Sequence, residues 1–443
     1  MLYRFAKTLM KAALRFFYRR VFITGLEVIP ADGPAIIIAN HPSSLMDAAL
    51  LGLLIKRPLY FLTRADVFVS KPVNFILSLL HMIPVQSHDN DRDSIEANSK
   101  SFEKAAGILS KGGILLFFPE GNSSTGHKLF PLRKGVFRLA FQTAFMNDFK
   151  YNIPFIPVGI NYEHPADANK DVMIHFGEPF FLNDYREKYE ANQQATLLNM
   201  TKVGFQALEK NVLHIADTAA IGLAEDCLTV YRNNYYFFTK AAWQQATKRK
   251  FFLEKTICNQ INQMTSEDLG LLKKITGDYF SRLKLHCLSD RTLCPAFSFS
   301  TLKKLLLIVA APLFIAGWLL NAIPVLAGKM IADKKVYRID FYSWIFVTSS
   351  ALLYIIWLLM LFAGFSLTSV KYAAAVVPFA LLSGILCRAY KQWLRDYKQY
   401  RLLRDLKQSH PHIIDHLQTL RLTILSSTTY HSLIHQQLLG LAR

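Results

Sequence analysis

The chain has 443 residues, an apolar fraction of 52%, and 51 lysines and arginines against 32 aspartates and glutamates, which leaves a formal charge of +19. That apolar fraction is high for a soluble protein with this much charge, so we expect a soluble part joined to a membrane part. The charge suits anionic lipid or a phosphorylated substrate, and no nucleic-acid-binding motif accompanies it. The five cysteines are odd in number and lack metal-site spacing, which predicts a reducing compartment.

The N-terminal stretch 1–20 is basic and aromatic, and Leu2, Phe5, Leu9 and Phe16 recur in it at nearly helical spacing. This pattern is typical of an amphipathic helix that lies on a membrane surface. Packing of the same helix against a protein core is the alternative.

Between residues 21 and 190, short apolar runs alternate with amphipathic stretches. This rhythm predicts an α/β domain with a mixed central sheet flanked by helices. The two richest runs, 35–39 and 113–118, end directly on polar residues. Functional sites of open α/β sheets lie beyond the carboxyl ends of such strands, so we expect the site there.

The pattern then becomes helical and polar, which predicts a helical extension over 191–300. A membrane region over 301–390 follows, with charge-free runs at 305–328, 341–370 and 372–387. We expect the last two to form a crossing hairpin over 341–387. The first run contains two prolines, which disfavour a straight span, and we expect a re-entrant segment over 305–328.

The segment 391–443 is predicted to be a basic helical tail. If all three apolar runs crossed the membrane, this tail would lie opposite the α/β domain, against the positive-inside tendency. A re-entrant first run instead leaves the domain, the 329–340 loop and the tail on the cytoplasmic face. A bacterial inner membrane or the endoplasmic reticulum fits this arrangement.

A histidine and an aspartate follow the first rich strand, in the sequence Asn40-His41-Pro-Ser-Ser-Leu-Met-Asp47. A histidine hydrogen-bonded to a carboxylate is held in one tautomer and made more basic, so its second ring nitrogen can take a proton from an alcohol. A purely structural histidine and aspartate pair is the alternative.

Three further blocks follow in order: Met-Ile-Pro-Val-Gln-Ser at 82–87, Phe-Pro-Glu-Gly-Asn-Ser-Ser at 118–124, and Pro-Phe-Ile-Pro-Val at 154–158. With the histidine block, this set resembles the PlsC-like glycerolipid acyltransferase family, which includes glycerol-3-phosphate and lysophosphatidate acyltransferases. The resemblance spans roughly residues 20–185. None of the serines in these blocks lies in a G-x-S-x-G elbow, which argues against a serine hydrolase.

The resemblance implies that His41 is the general base and that Asp47 orients it. It implies that Glu120 and Gly121 shape the acceptor site and that Pro157 belongs to the substrate-binding set. It also implies an acyl-CoA or acyl-carrier-protein donor, direct transfer to the acceptor, membrane lipid as a partner, and neither a metal nor a bound cofactor.

The chain departs from the family pattern in its spacing. Five residues separate His41 from Asp47, whereas the commoner family form has four. This longer spacing is similar to fungal glycerol-3-phosphate acyltransferases and favours glycerol 3-phosphate as acceptor. Lysophosphatidate or another lysolipid is the alternative acceptor, and a non-catalytic lipid-binding membrane scaffold is the alternative function.

A second departure concerns the acceptor phosphate. Asn122 and Ser123 stand where the family often has Thr-Arg, and the 82–87 block also lacks an arginine. A phosphate monoester still needs fixed cationic donors, and we favour Arg64 and Lys134, with solvated surface charge as the alternative. The full set of nearby cations is Arg64, Arg92, Lys128, Arg133 and Lys134.

Overall fold

The computed structural model describes residues 2–68, 70–85, 92–238, 246–295 and 297–427. The chain forms two compact units. The first unit comprises the chain up to His214 together with Ile331–Ser349, and the second comprises Ile215–Met330 and the chain from Ser350 onward.

The first unit is built on a sheet. Its strands within the described residues are β1 Arg20–Thr24, β2 Ala35–Ala39, β3 Leu59–Arg64, β4 Met82–Val85, β5 Ile114–Phe117, β6 Pro154–Tyr162, β7 Asp171–Phe176 and β8 Phe180–Phe181. The strand order is β1-β7-β6-β2-β5-β3-β4, and β8 pairs with β6. The pairs of β6 with β7 and β8 are antiparallel and the others are parallel, which confirms the predicted mixed sheet.

Helices cover both faces of this sheet. They are α1 Leu2–Phe17, α2 Leu45–Leu54, α3 Lys71–Leu79, α4 Arg92–Ser110, α5 Gly135–Met146, α6 Arg186–Ala191 and α7 Gln193–Asn211. Ile37 of β2 packs in a core with residues of α1, α2 and α3, while Ile36 and Ile38 pack in a second core with residues of α4, α5 and α7. Burial on both faces explains why β2 is a continuous apolar run.

Two parts of the first unit differ from a simple division of the sequence. In α1, Leu14 and Phe17 pack into the core, which corresponds to the alternative for this helix, while its contact with a membrane surface stays a prediction. The domain was predicted to end at residue 190, but Leu197 and Met200 of α7 pack in the sheet's second core. The compact unit therefore reaches His214.

The remaining helices are α8 Ile221–Phe238, α9 Ala246–Gln263, α10 Ser266–Leu285, α11 Thr301–Val309, α12 Ala311–Lys335, α13 Tyr342–Ser366, α14 Val370–Ser409 and α15 Pro411–Ser427. In the second unit, Arg421 of α15 forms a buried 2.9 Å ion pair with Asp290, which also accepts a hydrogen bond from Tyr279. This buried cluster ties α15 to the segment that follows α10. Residues 428–443 of the predicted tail lie outside the described residues.

Three helices in the described part of the chain are long and apolar enough to cross a membrane. They are Ala311–Lys335, Ile339–Ser366 and Val370–Ser409. The first contains Pro324 and the third contains Pro378. All three lie mainly within the predicted membrane region 301–390, and the re-entrant course of the first stays a prediction.

Candidate active site

The loop after β2, which carries His41, and the loop after β5, which carries Glu120, meet at one edge of the sheet. These are the two motif loops. Strands β2 and β5 are parallel neighbours, so the residues that follow them lie side by side. The backbone N–H of His41 donates to Oε1 of Glu120 at 3.0 Å, and the backbone N–H of Phe130 donates to Oε2 at 2.8 Å. Glu120 therefore holds the histidine loop and the 124–130 loop through their backbones.

The imidazole of His41 is oriented by Asp47. Its Nδ1 atom lies 2.9 Å from Oδ2 of Asp47, a fully buried residue in the first turn of α2. The same carboxylate accepts hydrogen bonds from the Ser43 N–H at 2.8 Å and from the Tyr162 hydroxyl at 2.6 Å. An ionised carboxylate only accepts hydrogen bonds, so Nδ1 carries the ring proton and Nε2 keeps its lone pair when the ring is neutral.

The position of the His41 ring is fixed on a second side. The ring stacks on Phe118 with a centroid separation of 3.8 Å, and its side chain keeps 18% of its accessible surface. In the described part of the chain no hydrogen bond to Nε2 is found. The ring is thus held rigidly while its basic nitrogen stays reachable.

Asn40 fixes the backbone immediately before the histidine. Its side-chain amide donates to the carbonyl of Ile160 at 2.9 Å and accepts from the N–H of Ile160 at 2.7 Å. This amide bridge extends the pairing of β2 with β6 beyond the last strand residue. Further along the loop, Ser44 has a positive φ of 43°, a backbone conformation that residues other than glycine rarely adopt, so the turn is strained.

Burial changes the acidity of Glu120. Desolvation raises the pKa of its carboxyl from 4.5 to about 7, and the backbone N–H groups of Phe130 and His41 and the nearby His41 ring oppose that rise. The carboxyl therefore titrates near neutral pH.

Gly121 occupies a turn that only glycine fits without strain. Its φ is +77°, and a Cβ atom there would lie 2.4 Å from Nε of Arg133. The Arg133 side chain thus covers the Phe-Pro-Glu-Gly turn, a placement that the spacing in the sequence does not reveal.

A polar cleft opens beside these residues. Its lining includes His41, Glu120, His127, Lys128 and Tyr162. Of the cations that the sequence suggested, Lys128 is the one in this lining. His127 and Tyr162 were missed, although Tyr162 ends the apolar run of β6 and shares a face with Ile160 through the two-residue period of a strand.

The other predicted residues lie elsewhere. Arg64 ends β3, two strands from β2 and thus about 10 Å away across the sheet. Lys134 is exposed at the amino end of α5, and Pro157 lies within β6 opposite Ile38. The side chain of Arg92 lies outside the described residues. The structure thus brings together His41, Asp47, Glu120 and Gly121, while Arg64, Lys134 and Pro157 are not in the cleft lining.

Residues 20–161 match the family model described as Acyltransferase. The chain is similar to the chloroplastic 1-acyl-sn-glycerol-3-phosphate acyltransferase BAT2 of Brassica napus, at 28% identity over 137 residues that cover 31% of this chain and 36% of the relative. It is also similar to a chloroplastic 1-acyl-sn-glycerol-3-phosphate acyltransferase of Arabidopsis thaliana, at 30% identity over 127 residues that cover 28% of this chain and 34% of the relative.

Among solved structures, the 1-acyl-sn-glycerophosphate acyltransferase PlsC from Thermotoga maritima is similar at 22% identity and a TM-score of 0.34, covering 47% of this chain and 79% of that one. The chain spans only 34% to 36% of the length of the two curated plant relatives. Over residues 20–161, the ordered motifs and the match to the Acyltransferase family model make this chain similar to the glycerolipid acyltransferases.

Proposed function

We propose that the chain is a membrane-bound O-acyltransferase of phospholipid biosynthesis, which moves a fatty acyl group from acyl-CoA or acyl-carrier protein to a hydroxyl of a glycerol-phosphate-type acceptor. The observation that carries the proposal is the pair of His41 and Asp47, whose 2.9 Å contact leaves Nε2 of His41 beside a polar cleft. The acyltransferase match over residues 20–161 supports the reaction class.

In this mechanism Nε2 of His41 takes the proton of the acceptor hydroxyl as its oxygen attacks the thioester carbonyl. The new C–O bond forms, the tetrahedral intermediate collapses, the C–S bond breaks, and His41 returns its proton to the leaving thiolate. Asp47 stabilises the imidazolium between these steps. No acyl-enzyme forms. This agrees with the hydrogen bonds of the Ser43 hydroxyl with Ser343 and of the Ser123 hydroxyl with Asp340.

Two acceptors are open to comparison. The His41 to Asp47 spacing favours glycerol 3-phosphate, whereas the names of the plant relatives favour 1-acyl-sn-glycerol 3-phosphate. The cations nearest the site also differ from the family pattern, because Lys128 lines the cleft and Arg133 covers Gly121. We expect Lys128 to contact the acceptor phosphate as a single point charge.

The test is acyl transfer by membrane-embedded protein from labelled acyl-CoA or acyl-carrier protein, with both acceptors offered separately. We expect turnover with one acceptor, and a loss of about 10³-fold or more in His41→Ala, because the base is removed. His412→Ala, at an exposed position on α15, is the matched control and should keep full turnover. Absence of turnover with every donor and lysolipid acceptor would favour the non-catalytic scaffold.

We further propose that the membrane is crossed twice, by α13 and α14, and that α12 does not cross it. Helices α13 and α14 are joined by the three residues 367–369, a connection short enough to be the turn of a crossing hairpin. Near the start of α12, Phe314 stacks on Tyr390 at 4.3 Å, and near its end Gly328 packs against Ser350. Tyr390 and Ser350 both lie about 25–32 Å from the hairpin turn at 1.5 Å per residue, so both contacts are at its open end.

The middle of α12 reaches deeper, because the indole N–H of Trp357, about 15 Å from the turn, donates to the carbonyl of Leu320 at 2.7 Å. Asn321 bonds to Ser383 at 3.2 Å and to the hydroxyl of Tyr354, both about 20 Å from the turn. A helix of 25 residues that crossed the membrane beside the hairpin would have one end near the turn, whereas the contacts near both ends of α12 lie toward the open end and only its middle reaches deeper. These contacts support a re-entrant or interfacial α12, with both of its ends and the tail on the cytoplasmic face.

Labelling with a membrane-impermeant maleimide tests this topology in a Cys287→Ser background, since Cys287 is the exposed native cysteine among the described residues. Leu367→Cys in the hairpin turn should label in intact cells or vesicles from the non-cytoplasmic side. Lys335→Cys and Ser409→Cys should label only after permeabilisation. Labelling of Lys335→Cys from the same side as Leu367→Cys would overturn the two-crossing topology.

A further inference from the structure

The segment that joins α12 to α13 contacts both motif loops. Within the first unit, Ser343 at the start of α13 lies with its Oγ atom 2.9 Å from Oγ of Ser43, and both residues are buried. The backbone N–H of Ser43 is one of the donors to Asp47. Ser343 therefore contacts Ser43, which in turn contacts Asp47, the residue that orients His41.

The same segment contacts the Phe-Pro-Glu-Gly loop. Asp340 is 4% exposed and accepts a hydrogen bond from the hydroxyl of Ser123. Arg338 donates to Asp340 at 2.9 Å and to the carbonyl of Ser123 at 3.2 Å. The next residue, Ser124, donates its N–H to the carbonyl of His41 at 3.0 Å. Asp340 thus holds the loop at Ser123 and Ser124, and this loop holds the backbone of His41.

The segment is anchored as well as adjacent. One turn into α13, Val347 is 4% exposed and packs in the core that contains residues of α1 and α2, and Phe346 packs against that core at 6.0 Å from the Phe17 ring. A buried carboxylate such as Asp340 is stable only with hydrogen-bond partners, which here are Ser123 and Arg338. The apolar and polar contacts together specify one docked position for the segment.

We propose that Asp340 is a positioning residue of the active site, through which the segment between α12 and α13 holds the two motif loops in register. This inference rests on the proposed acyl transfer and goes beyond it. It assigns part of the catalytic geometry to a segment far from the Phe-Pro-Glu-Gly loop in the chain, since Asp340 is 217 residues from Ser123. A displacement of a reacting group by about 1 Å can lower a rate about 100-fold. A small shift of either motif loop would therefore be enough to lower the rate of acyl transfer.

Kinetics of Asp340 variants test the positioning role. We expect Asp340→Ala to lower kcat by about 10- to 100-fold with KM for the donor changed by less than about twofold, because binding groups stay in place while the base is displaced. Asp340→Asn keeps the size of the side chain and an acceptor for Ser123, and should recover part of kcat. Asp405→Ala, an exposed acid paired with Arg404 on α14, is the control and should keep full turnover.

A double-mutant cycle separates positioning from general destabilisation. If Ser123 acts on the rate through Asp340, then adding Ser123→Ala to Asp340→Ala should change kcat by less than about twofold, whereas Ser123→Ala alone should lower it measurably. Fully additive losses in kcat would overturn the proposed link between these residues. Equal kcat for Asp340→Ala and the wild type would overturn the positioning role.

A cross-link tests the docked segment without any turnover. Ser43→Cys with Ser343→Cys, in the Cys287→Ser background, should form a disulfide under mild oxidation, since the two Oγ atoms lie 2.9 Å apart. Ser43→Cys with Ser349→Cys is the control pair and should not cross-link. Failure of the first pair to cross-link in folded protein overturns the docking, whereas cross-linking of this pair together with no turnover by the unmodified wild-type protein contradicts the proposed function alone.

Discussion

Tyr162 donates its hydroxyl proton to the oxygen of Asp47 that His41 does not use, at 2.6 Å. The two oxygens of the carboxylate are therefore held from two directions, by strand β6 on one side and by the histidine loop on the other. Because Tyr162 is 115 residues from Asp47 in the chain, the orientation of the His41 ring depends on a strand far from its own motif.

Removing that hydroxyl should loosen the carboxylate without removing it. We expect Tyr162→Phe to lower kcat about 5- to 10-fold, the effect of one hydrogen bond worth about 1 kcal/mol. Tyr189→Phe is the matched control, because the Tyr189 ring is also buried but acts through stacking on Phe141 at 3.7 Å. Steady-state turnover at saturating donor measures both, and unchanged kcat in Tyr162→Phe would contradict the role given to the hydroxyl.

The carboxylate itself should matter far more. Asp47→Asn replaces an acceptor of three hydrogen bonds by an amide, so Nδ1 of His41 loses the partner that fixes its proton. We expect kcat to fall about 10³- to 10⁴-fold, as when the orienting carboxylate of a catalytic histidine is removed. Asp148→Asn, at an exposed position, should leave kcat unchanged. Circular dichroism of each variant establishes that the fold is retained.

Glu120 predicts a pH dependence of stability. Its folded pKa of about 7 lies above the ordinary 4.5, so between these values the folded state binds more protons than the unfolded state. Stability contributed by this group is therefore fully present below about pH 4.5 and is lost as the pH rises toward 7. We therefore expect the Tm of the wild type minus the Tm of Glu120→Gln to fall as the pH rises from 4.5 to about 7, and to stay constant above about pH 7.

Thermal unfolding of both proteins in the same detergent, at steps between pH 4.5 and 8, makes that comparison. Glu120→Gln also replaces one of two backbone acceptors by an amide N–H₂, which lowers its stability at every pH and leaves the slope unaffected. A difference in Tm that rises with pH in this window would show that the carboxyl is not held in its neutral form.

Glycine at the Phe-Pro-Glu-Gly turn should be irreplaceable. Gly121→Ala forces a side chain into a positive φ and against Arg133, and we expect the free energy of unfolding to fall by about 1–2 kcal/mol. Gly135→Ala is the opposite case, because it lies at the start of α5 with open space around its Cβ position, and it should raise stability by up to about 1 kcal/mol. Chemical denaturation of the two variants gives the comparison.

The sequence predicted those strands whose residues follow a clear local pattern of apolar and polar positions. The runs that became β2 and β5 are apolar throughout, and β6 is apolar apart from Asn161 near its end, because both faces of these strands are buried. Strand β1 was not recognised, because its sequence Arg-Val-Phe-Ile-Thr mixes polar and apolar residues at the edge of the sheet. Helix α7 was assigned to the extension because its pattern is polar, while its few buried residues complete the core of the domain.

The site was predictable where neighbours in the chain are neighbours in space. His41 and Asp47 belong to one strand, turn and helix, and Glu120 follows the adjacent parallel strand, so their convergence follows from the sheet. Asn40 bonds to β6 and Arg133 covers Gly121 through folding of segments whose register no local spacing encodes. Arg64 also lies at the carboxyl end of a strand, but its strand is on the far side of β5 from β2.

The edge strand β1 has consequences for how the domain is made. Arg20 and its partner Asp171 are 151 residues apart in the chain, yet they form a 2.8 Å ion pair at the start of the pairing of β1 with β7. Until the ribosome has delivered β7, the first strand has no edge on which to add. Closing so long a loop is slow, so β1 stays an unpaired strand until β7 has been made, and an unpaired strand of this kind is prone to aggregation.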